Sequence, residues 1–398
     1  GVLVEEIVKL EQTHDDDLQT DVEVRYLADL RADLEHASSP LLADIVLPQR
    51  VAIEPILDCV RDCVTLDFVQ LPLADGSEAW FRTTIEHAEL VIFEELRMGE
   101  GYKILVEDDG SPQRQGLIDH LDSELAGRSR GWELAADELL PESVLERLRR
   151  PTSDRPLELL ISPHKKLSRI PWNALVVAVG VDDRRIRLIE RAVVAQIPML
   201  SALLESGAER VSGPALVWLA GDVANQLEQI AWGLDADTLI ANCEIPADSH
   251  HVLGGSLSEN LLSDRWGLAY VASHGSGDRL GQYIEAGEKL TAARALSLPW
   301  PHNVVLAACH VGRVDDSGEG EPLGFVVAAL AGGARTVVAG LNLVSDTGTG
   351  EIGSILIERL DGNTRLDHAL RAAQLEFLDD SRSADDLSEW ALLTAFVR

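Results

Sequence analysis

Two short apolar segments of this chain each end on a side chain capable of chemistry. Residues 266–275 (WGLAYVASHG) end in a His-Gly pair, and residues 303–310 (NVVLAACH) end in Cys-His. Buried parallel strands are nearly continuous apolar runs, and their carboxyl ends meet at one edge of the sheet, where open α/β folds place their sites. The two segments therefore predict that the imidazole of His274 and the thiol of Cys309 lie side by side, as in a cysteine peptidase.

Each residue of this pair has a chemical use and an ordinary alternative. A thiol becomes an effective nucleophile when an imidazole takes its proton, and the amides of Gly275 and Cys309 are suited to stabilise a tetrahedral oxyanion. His310 is a competing base, but successive strand residues face opposite sides of a sheet, which favours His274 unless the turn begins at once. The plain alternative is that Cys309 is a buried structural thiol, the commonest fate of a lone cysteine.

Composition limits the partners. The chain has 398 residues, of which 67 are acidic and 34 basic, for a net charge of −33. Such a field repels phosphate backbones and anionic membranes, so we expect neither nucleic acid nor membrane as a direct partner, and it favours the approach of basic protein segments, such as those of a protein substrate. The four cysteines lack the density and spacing of a secreted disulfide framework, and no signal peptide is visible, which predicts a reducing compartment, the cytoplasm.

The hydrophobic pattern divides the chain into a helical lead-in (1–63), a less regular front half (64–156) and a regular half (157–398). In the regular half, strands alternate with helices, which predicts an α/β fold with a mainly parallel sheet sandwiched by helices. The predicted strands are Val64–Leu73, Glu89–Met98, Tyr102–Val106, Leu157–Ile161, Arg185–Ile189, Ala215–Ala220, Leu268–Ala272, Val304–Ala308 and Thr336–Val344. The predicted helices of the regular half are 198–206, 223–232, 322–331, 350–360 and 366–377.

Other motifs carry weaker chemical signals. The cluster Gly348–Gly353 matches G-x-G-x-x-G, but no second strand ending in a ribose-binding acid follows it, so a helix-start turn competes with a dinucleotide-binding oxidoreductase. Cys243 with the histidines at 250–251, and Cys59 with Cys63, have no familiar zinc spacing. We therefore expect neither a cofactor nor a metal.

One long apolar window needs a separate account. Residues 323–344 are mostly apolar, but a Gly-Gly pair interrupts them, so they are better interpreted as a buried helix followed by a strand than as a membrane span.

Residues 159–175 (LLISPHKKLSRIPWNAL) resemble the strand, proline, polar turn and Leu-x-x-Ile-Pro-Trp-x-Ala-Leu segment of CHAT domains, caspase-like peptidases often joined to helical TPR repeats. A set of matches in family order is more specific than any one of them. The further matches are Ala272–Gly275 (ASHG), Leu306–Cys309 (LAAC), the segment 320–334, Val344–Asp346 and Ala369–Gln374. The resemblance extends over 64–398, with 64–156 as its front half and 157–398 as its catalytic half.

The resemblance implies a caspase-like cysteine peptidase with a His-Cys dyad and no obligatory third member, in which His274 and Cys309 occupy the two motif positions. Two features depart from the family pattern: Asn342 replaces a large aromatic residue, and His-Val-Gly follows Cys309 in place of Glu-Thr-Gly. We expect these departures to affect substrate preference more than catalysis. Related proteases act as triggered effectors, so we expect control by a regulatory protein or TPR-type module, in bacterial or antiviral defence or cell death.

Asp346 is the candidate for substrate specificity. It follows the strand predicted to lie beside the Cys309 strand, and in related proteases with arginine specificity an aspartate in a similar turn pairs with the substrate guanidinium. We therefore expect a preference for Arg or Lys, with helix capping by Asp346 as the alternative. The rival to catalysis as a whole is a caspase-like scaffold that binds a partner peptide as an added strand at its sheet edge.

Overall fold

The computed structural model describes residues 53–73, 77–106, 116–119, 121, 124–150, 155–180, 183–198, 200, 203, 215–219, 250–253, 266–276, 282–285, 289–314, 324–360, 364–379 and 384–398. The predicted lead-in up to residue 52, the predicted helix 223–232 and Cys243 lie outside the described residues.

The described residues form the following strands and helices. The strands are β1 (Val64–Pro72), β2 (Glu78–Glu86), β3 (Glu89–Leu96), β4 (Leu157–Ser162), β5 (Val176–Val179), β6 (Arg185–Arg187), β7 (Ala192–Gln196), β8 (Ala215–Leu219), β9 (His250–Leu253), β10 (Leu268–Ala272), β11 (Gly275–Ser276), β12 (Tyr283–Glu285), β13 (Lys289–Thr291), β14 (Asn303–Ala307), β15 (Thr336–Gly340) and β16 (Leu393–Val397). The α-helices are α1 (Ile53–Cys59), α2 (Glu100–Val106), α3 (Glu124–Gly127), α4 (Gly131–Leu139), α5 (Glu142–Arg149), α6 (Leu188–Arg191), α7 (Ala292–Ala295), α8 (Phe325–Ala331), α9 (Asp346–Arg359), α10 (Leu366–Asp379) and α11 (Leu387–Trp390). Short 3₁₀ helices cover Leu117–Asp119, Lys165–Arg169 and Trp172–Ala174.

Eleven strands form one central sheet in the order β3-β2-β1-β4-β7-β16-β15-β14-β10-β8-β9. Strands β1, β4, β7 and β16 run parallel to one another, and so do β15, β14, β10, β8 and β9. The two groups meet at the antiparallel pair β15 and β16. Helices such as α8 and α10 pack against the sheet. The predicted α/β fold with a mainly parallel sheet flanked by helices is therefore confirmed.

The central strands are buried apolar runs, as the sequence predicts. Every residue of β10 and β15 is buried, and so are the first four residues of β14. Parallel strands covered on both faces require such sequences. β10 and β14 pair in register up to Ala272 and Ala307, so the residues that follow these two alanines leave the sheet side by side.

One hydrophobic core joins the front of the chain to its regular half. Leu66 of β1 and Leu105 of α2 belong to the same buried cluster as Val271 and Leu306 of the central strands. β1 also pairs in parallel with β4, with Val64 opposite Leu159. The first three strands therefore continue the sheet that carries the candidate site.

The segment Tyr102–Val106, predicted to be a strand, is part of helix α2. Its buried residues Tyr102, Leu105 and Val106 follow helical spacing. The carboxylate of Glu138 accepts hydrogen bonds from the amides of Gly99, Gly101 and Tyr102 at 3.2, 2.8 and 2.9 Å. This distant acceptor satisfies donors that a helix N-terminus leaves unpaired, and it favours the helix over the strand.

The apolar window 323–344 divides as predicted, into α8 and β15. Among the helices of the described residues, none is long and apolar enough to cross a membrane.

Candidate active site

The ends of β10 and β14 bring the His-Gly segment against Cys309. Beyond the last register pair, the Ser273 amide donates to the Ala307 carbonyl at 3.2 Å. A side-chain carbon at Gly275 would come closer than 3.0 Å to the Cys309 carbonyl oxygen, so only glycine fits there. His274 and Cys309 are both half-buried. The predicted meeting of the two strand ends is thus present, whereas the chemical roles of the residues stay predictions.

The backbone on both sides of His274 is fixed by hydrogen bonds. The His274 carbonyl accepts from the Glu285 amide at 2.9 Å and from the Ser273 hydroxyl at 3.0 Å. Gly275 begins the short strand β11 and pairs with Ile284 of β12. Because these contacts hold two consecutive residues, the backbone that carries the imidazole is anchored to the strands.

The thiol of Cys309 faces the turn that follows β15. Its sulfur lies 3.9 Å from the Val344 carbonyl oxygen, a long and weak contact for a thiol donor. Two residues further on, Asp346 is the first residue of α9, and the N-cap is Ser345, whose hydroxyl accepts from the Gly348 amide at 3.2 Å. The N-cap, the alternative role considered for Asp346, is thus Ser345, while substrate recognition by Asp346 stays a prediction.

His310 lies in a turn and not in a strand. β14 ends at Ala307, and His310 has a left-handed backbone with φ of 62°. Its amide donates to the Asn342 carbonyl at 3.1 Å. The alternation of strand faces, which disfavoured His310 as the base, therefore does not apply to it, because the turn begins directly after the strand.

Gln282 fixes the other end of this turn, and sequence reasoning missed it. Its buried amide nitrogen donates to the carbonyls of His310 and Arg313 at 3.1 and 2.9 Å, and its amide oxygen accepts from the Phe325 amide at 2.7 Å. All its side-chain partners are backbone groups at least 28 residues away. A lone glutamine before a short strand gives no sequence signal of this role.

The family-like segment 159–175 reaches the turn after Cys309. The Ser168 hydroxyl donates to the Val314 carbonyl at 3.1 Å, and Arg169 forms an ion pair with Asp119. The segment 159–175 thus helps to hold the turn after Cys309, which is a structural role for this motif.

The G-x-G-x-x-G cluster lies inside helix α9. Side-chain carbons at Gly348 and Gly353 would overlap Glu389 and the Tyr270 hydroxyl, respectively. The glycines thus let α9 pack closely against α11 and β10 and form no phosphate-binding loop between a strand and a helix. This geometry gives no support to a dinucleotide site.

One cluster of potential metal ligands occurs among the described residues: Glu158, Asp367 and His368. A Glu158 carboxylate oxygen lies 2.8 Å from the Nε2 of His368, and Arg365 pairs with the carboxylates of Glu158 and Asp367. Burial alone would raise the pKa of Glu158, but the bond from His368 and the charge of Arg365 outweigh it and hold that pKa below its usual value. A guanidinium already occupies the position of a cation, so the cluster is an ion-pair link between β4 and α10.

Comparison with known proteins adds the family. The model of the CHAT domain matches residues 133–397, well over half of the chain. The chain therefore belongs to the CHAT domain family, and strands β1 to β3 precede the matched region. No functionally described protein matches the sequence.

Two similar solved structures are crystal structures of the Saccharomyces cerevisiae separase-securin complex, at 2.6 and 3.0 Å resolution. The match covers 100% of this chain and 27% of the chain compared, with 14% sequence identity and TM-scores of 0.45 and 0.44. This chain thus spans just over a quarter of the length of the chain that it resembles.

Proposed function

We propose that this chain is a cysteine endopeptidase that cleaves a protein substrate with Cys309 as nucleophile and His274 as base. The observation that carries the proposal is the close approach of Gly275, which directly follows His274, to the Cys309 backbone. Membership of the CHAT domain family supports it. An imidazole beside a thiol is the arrangement that activates cysteine nucleophiles.

The proposed reaction has two stages. His274 takes the thiol proton, and the thiolate attacks the peptide carbonyl carbon to form a tetrahedral oxyanion, which the amides of Gly275 and Cys309 stabilise. The carbon–nitrogen bond then breaks as the imidazolium protonates the leaving amine, which leaves a thioester. Water, activated by the imidazole, hydrolyses the thioester, releases the acid and restores the thiol.

The substrate is proposed to carry Arg or Lys before the cleaved bond, recognised by Asp346 at the start of α9. The net charge of −33 also favours approach by basic protein segments. Control by a regulatory protein or TPR-type module, in the cytoplasm and in a defence or cell-death pathway, completes the proposal.

An electrophilic peptide probe tests the proposal. A peptidyl acyloxymethyl ketone ending in arginine should label wild-type protein on Cys309, and Cys309→Ala should abolish the label. Cys59→Ala is the matched control because Cys59 is an exposed thiol; labelling should survive that change. Proteomic identification of new termini, with and without Cys309, then gives the substrate.

A peptide-binding scaffold is the second candidate, and one observation favours it. Among the described strands, β3 is the terminal strand of the central sheet, and Phe93 on it is 60% exposed. An exposed edge strand can pair with an extended peptide. A protein that stays inert towards the probe under every activating condition, yet retains a peptide ligand, would favour this function.

A further inference from the structure

The turn after Cys309 adopts a backbone conformation that needs outside support. His310, directly after Cys309, has φ of 62°, in the left-handed region that residues with a side chain rarely adopt. Such residues persist where the surrounding structure fixes them, and they cluster at functional sites. The contacts that hold His310 therefore also hold the backbone next to Cys309.

Asn342 supplies much of this support. Its carbonyl accepts from the His310 amide at 3.1 Å. Its side-chain oxygen accepts from the Arg313 guanidinium at 2.6 Å. The same guanidinium donates to the Leu341 carbonyl at 3.2 Å, so Arg313 spans two consecutive residues of the turn after β15. One asparagine thus binds both ends of the turn from 310 to 313.

The other half of the Asn342 amide fixes the asparagine itself. Its side-chain nitrogen donates to the carbonyl of Ile118 at 2.8 Å, and Ile118 is a fully buried residue of the 3₁₀ helix Leu117–Asp119. That helix is anchored in turn by the ion pair between Asp119 and Arg169. Asn342 is therefore held by the front half of the chain while it holds the turn after Cys309.

We propose that Asn342, held by Ile118, is a positioning residue that sets the Cys309 thiol through Arg313 and the His310 backbone. The inference deepens the proposed peptidase function and rests on it. An amide provides a donor and an acceptor on one short side chain. The contacts to Arg313 and Ile118 therefore depend on the asparagine that this chain has at position 342.

Three substitutions at position 342 test the two side-chain hydrogen bonds of Asn342, to Arg313 and to Ile118. Asn342→Leu has similar size and loses both side-chain bonds, Asn342→Asp keeps the acceptor for Arg313, and Asn342→Phe introduces the aromatic residue. Leu343→Ala is the matched control, because Leu343 is the next residue and is 66% exposed. Far-UV circular dichroism and thermal unfolding check that each variant folds.

Two readouts follow the thiol itself. The first is the rate of Cys309 alkylation by iodoacetamide from pH 6 to 10, measured by peptide mass spectrometry, which needs no peptidase activity. The second is kcat and KM on the best peptide substrate. We expect Asn342→Leu and Asn342→Phe to lower both the alkylation rate and kcat by about tenfold or more, the scale of one lost hydrogen bond to a positioned group, with KM changed less than about twofold.

The conservative variant and a double variant complete the test. Asn342→Asp should recover most of the alkylation rate, and Arg313→Met combined with Asn342→Leu should lose no more than either change alone, since the two residues act as a unit. Alkylation rates and kcat equal to wild type in folded Asn342→Leu would overturn the inference, as would a change in thermal unfolding alone. If Asn342→Leu fails to fold, Arg313→Met alone gives the same readouts. A wild-type protein that cleaves no peptide would defeat the proposed function, while the alkylation rates would still decide the positioning role.

Discussion

Gly275 lies so close to Cys309 that any side-chain carbon at position 275 would approach the Cys309 carbonyl oxygen to less than 3.0 Å. The backbone oxygen cannot move without shifting the turn that carries the thiol. We therefore expect Gly275→Ala to lower kcat/KM by roughly a hundredfold, since small displacements of reacting groups have effects of that size. Peptidase assays and Cys309 alkylation would measure the loss.

Gly180→Ala is the matched control for this prediction. A side-chain carbon there would lie 3.4 Å from the Arg184 carbonyl oxygen, an ordinary contact. The variant should keep wild-type activity. Equal activity of the two variants would show that the close contact at Gly275 is not needed for the chemistry.

The dyad itself gives the second prediction. Cys309→Ala and His274→Ala should each lower kcat/KM by roughly a thousandfold or more, and the double variant should lose no more, because nucleophile and base act as one unit. Circular dichroism should be unchanged, since both side chains lie beyond the strand ends.

His310→Ala must be measured in parallel. His310 lies in the same turn as Cys309, so it is the other candidate for the base. Retention of activity by His274→Ala together with its loss in His310→Ala would reverse the assignment of the base.

Substrate preference at Asp346 gives the third prediction. Removing one partner of a partly desolvated charge pair costs about 2 to 4 kcal/mol. Asp346→Asn should therefore lower kcat/KM for substrates with arginine before the cleaved bond by roughly 30-fold or more, and leave small apolar substrates nearly unaffected.

The structure offers a sharp control for Asp346. Ser345 is the N-cap of α9, so Ser345→Ala should weaken the helix by about 1 kcal/mol and affect all substrates alike. If Asp346→Asn behaved as Ser345→Ala does, its role would be structural. Cleavage by wild type only after apolar or acidic residues would exclude the basic pocket.

The local sequence was sufficient to predict strands whose continuous apolar runs indicate burial on both faces. β10, β14 and β15 are continuous apolar runs, so their strands and their adjacency were predictable, although β15 ends at Gly340 and not at Val344. Strand β16 was missed: its LTAFV sequence carries no periodicity that separates a strand from a buried helix. Its antiparallel pairing with β15 depends on the whole path of the chain.

The support of the site was least predictable. His274 and Cys309 stood out by residue type, whereas the side-chain partners of Gln282 are 28 to 43 residues away and Ile118 is 224 residues from Asn342. Asn342 was noticed as a departure from the family, but its hydrogen bonds depend on tertiary structure. Long-range polar contacts of this kind leave no periodic pattern in a sequence.

A half-buried acid in the front strands gives the last prediction. Asp67 of β1 pairs in register with Ser162 of β4. Burial raises the pKa of Asp67 to about 6, although a hydrogen bond with Ser162 opposes the shift. The folded state thus holds this proton more tightly than the unfolded state, whose aspartate pKa is about 3.9. Its contribution to stability is therefore lost as the pH rises from about 4 to 6.

Asp67→Asn removes the charged form and should stabilise the protein at pH 8 by about 1 to 3 kcal/mol, with the gain disappearing below pH 4. Urea unfolding at pH 4, 6 and 8 would measure it. Glu95→Gln on the exposed position of β3 is the control, because removing any negative charge from a chain of net charge −33 relieves some repulsion. A gain for Asp67→Asn that matched the control, or that grew as the pH fell, would contradict the assignment of burial as the cause.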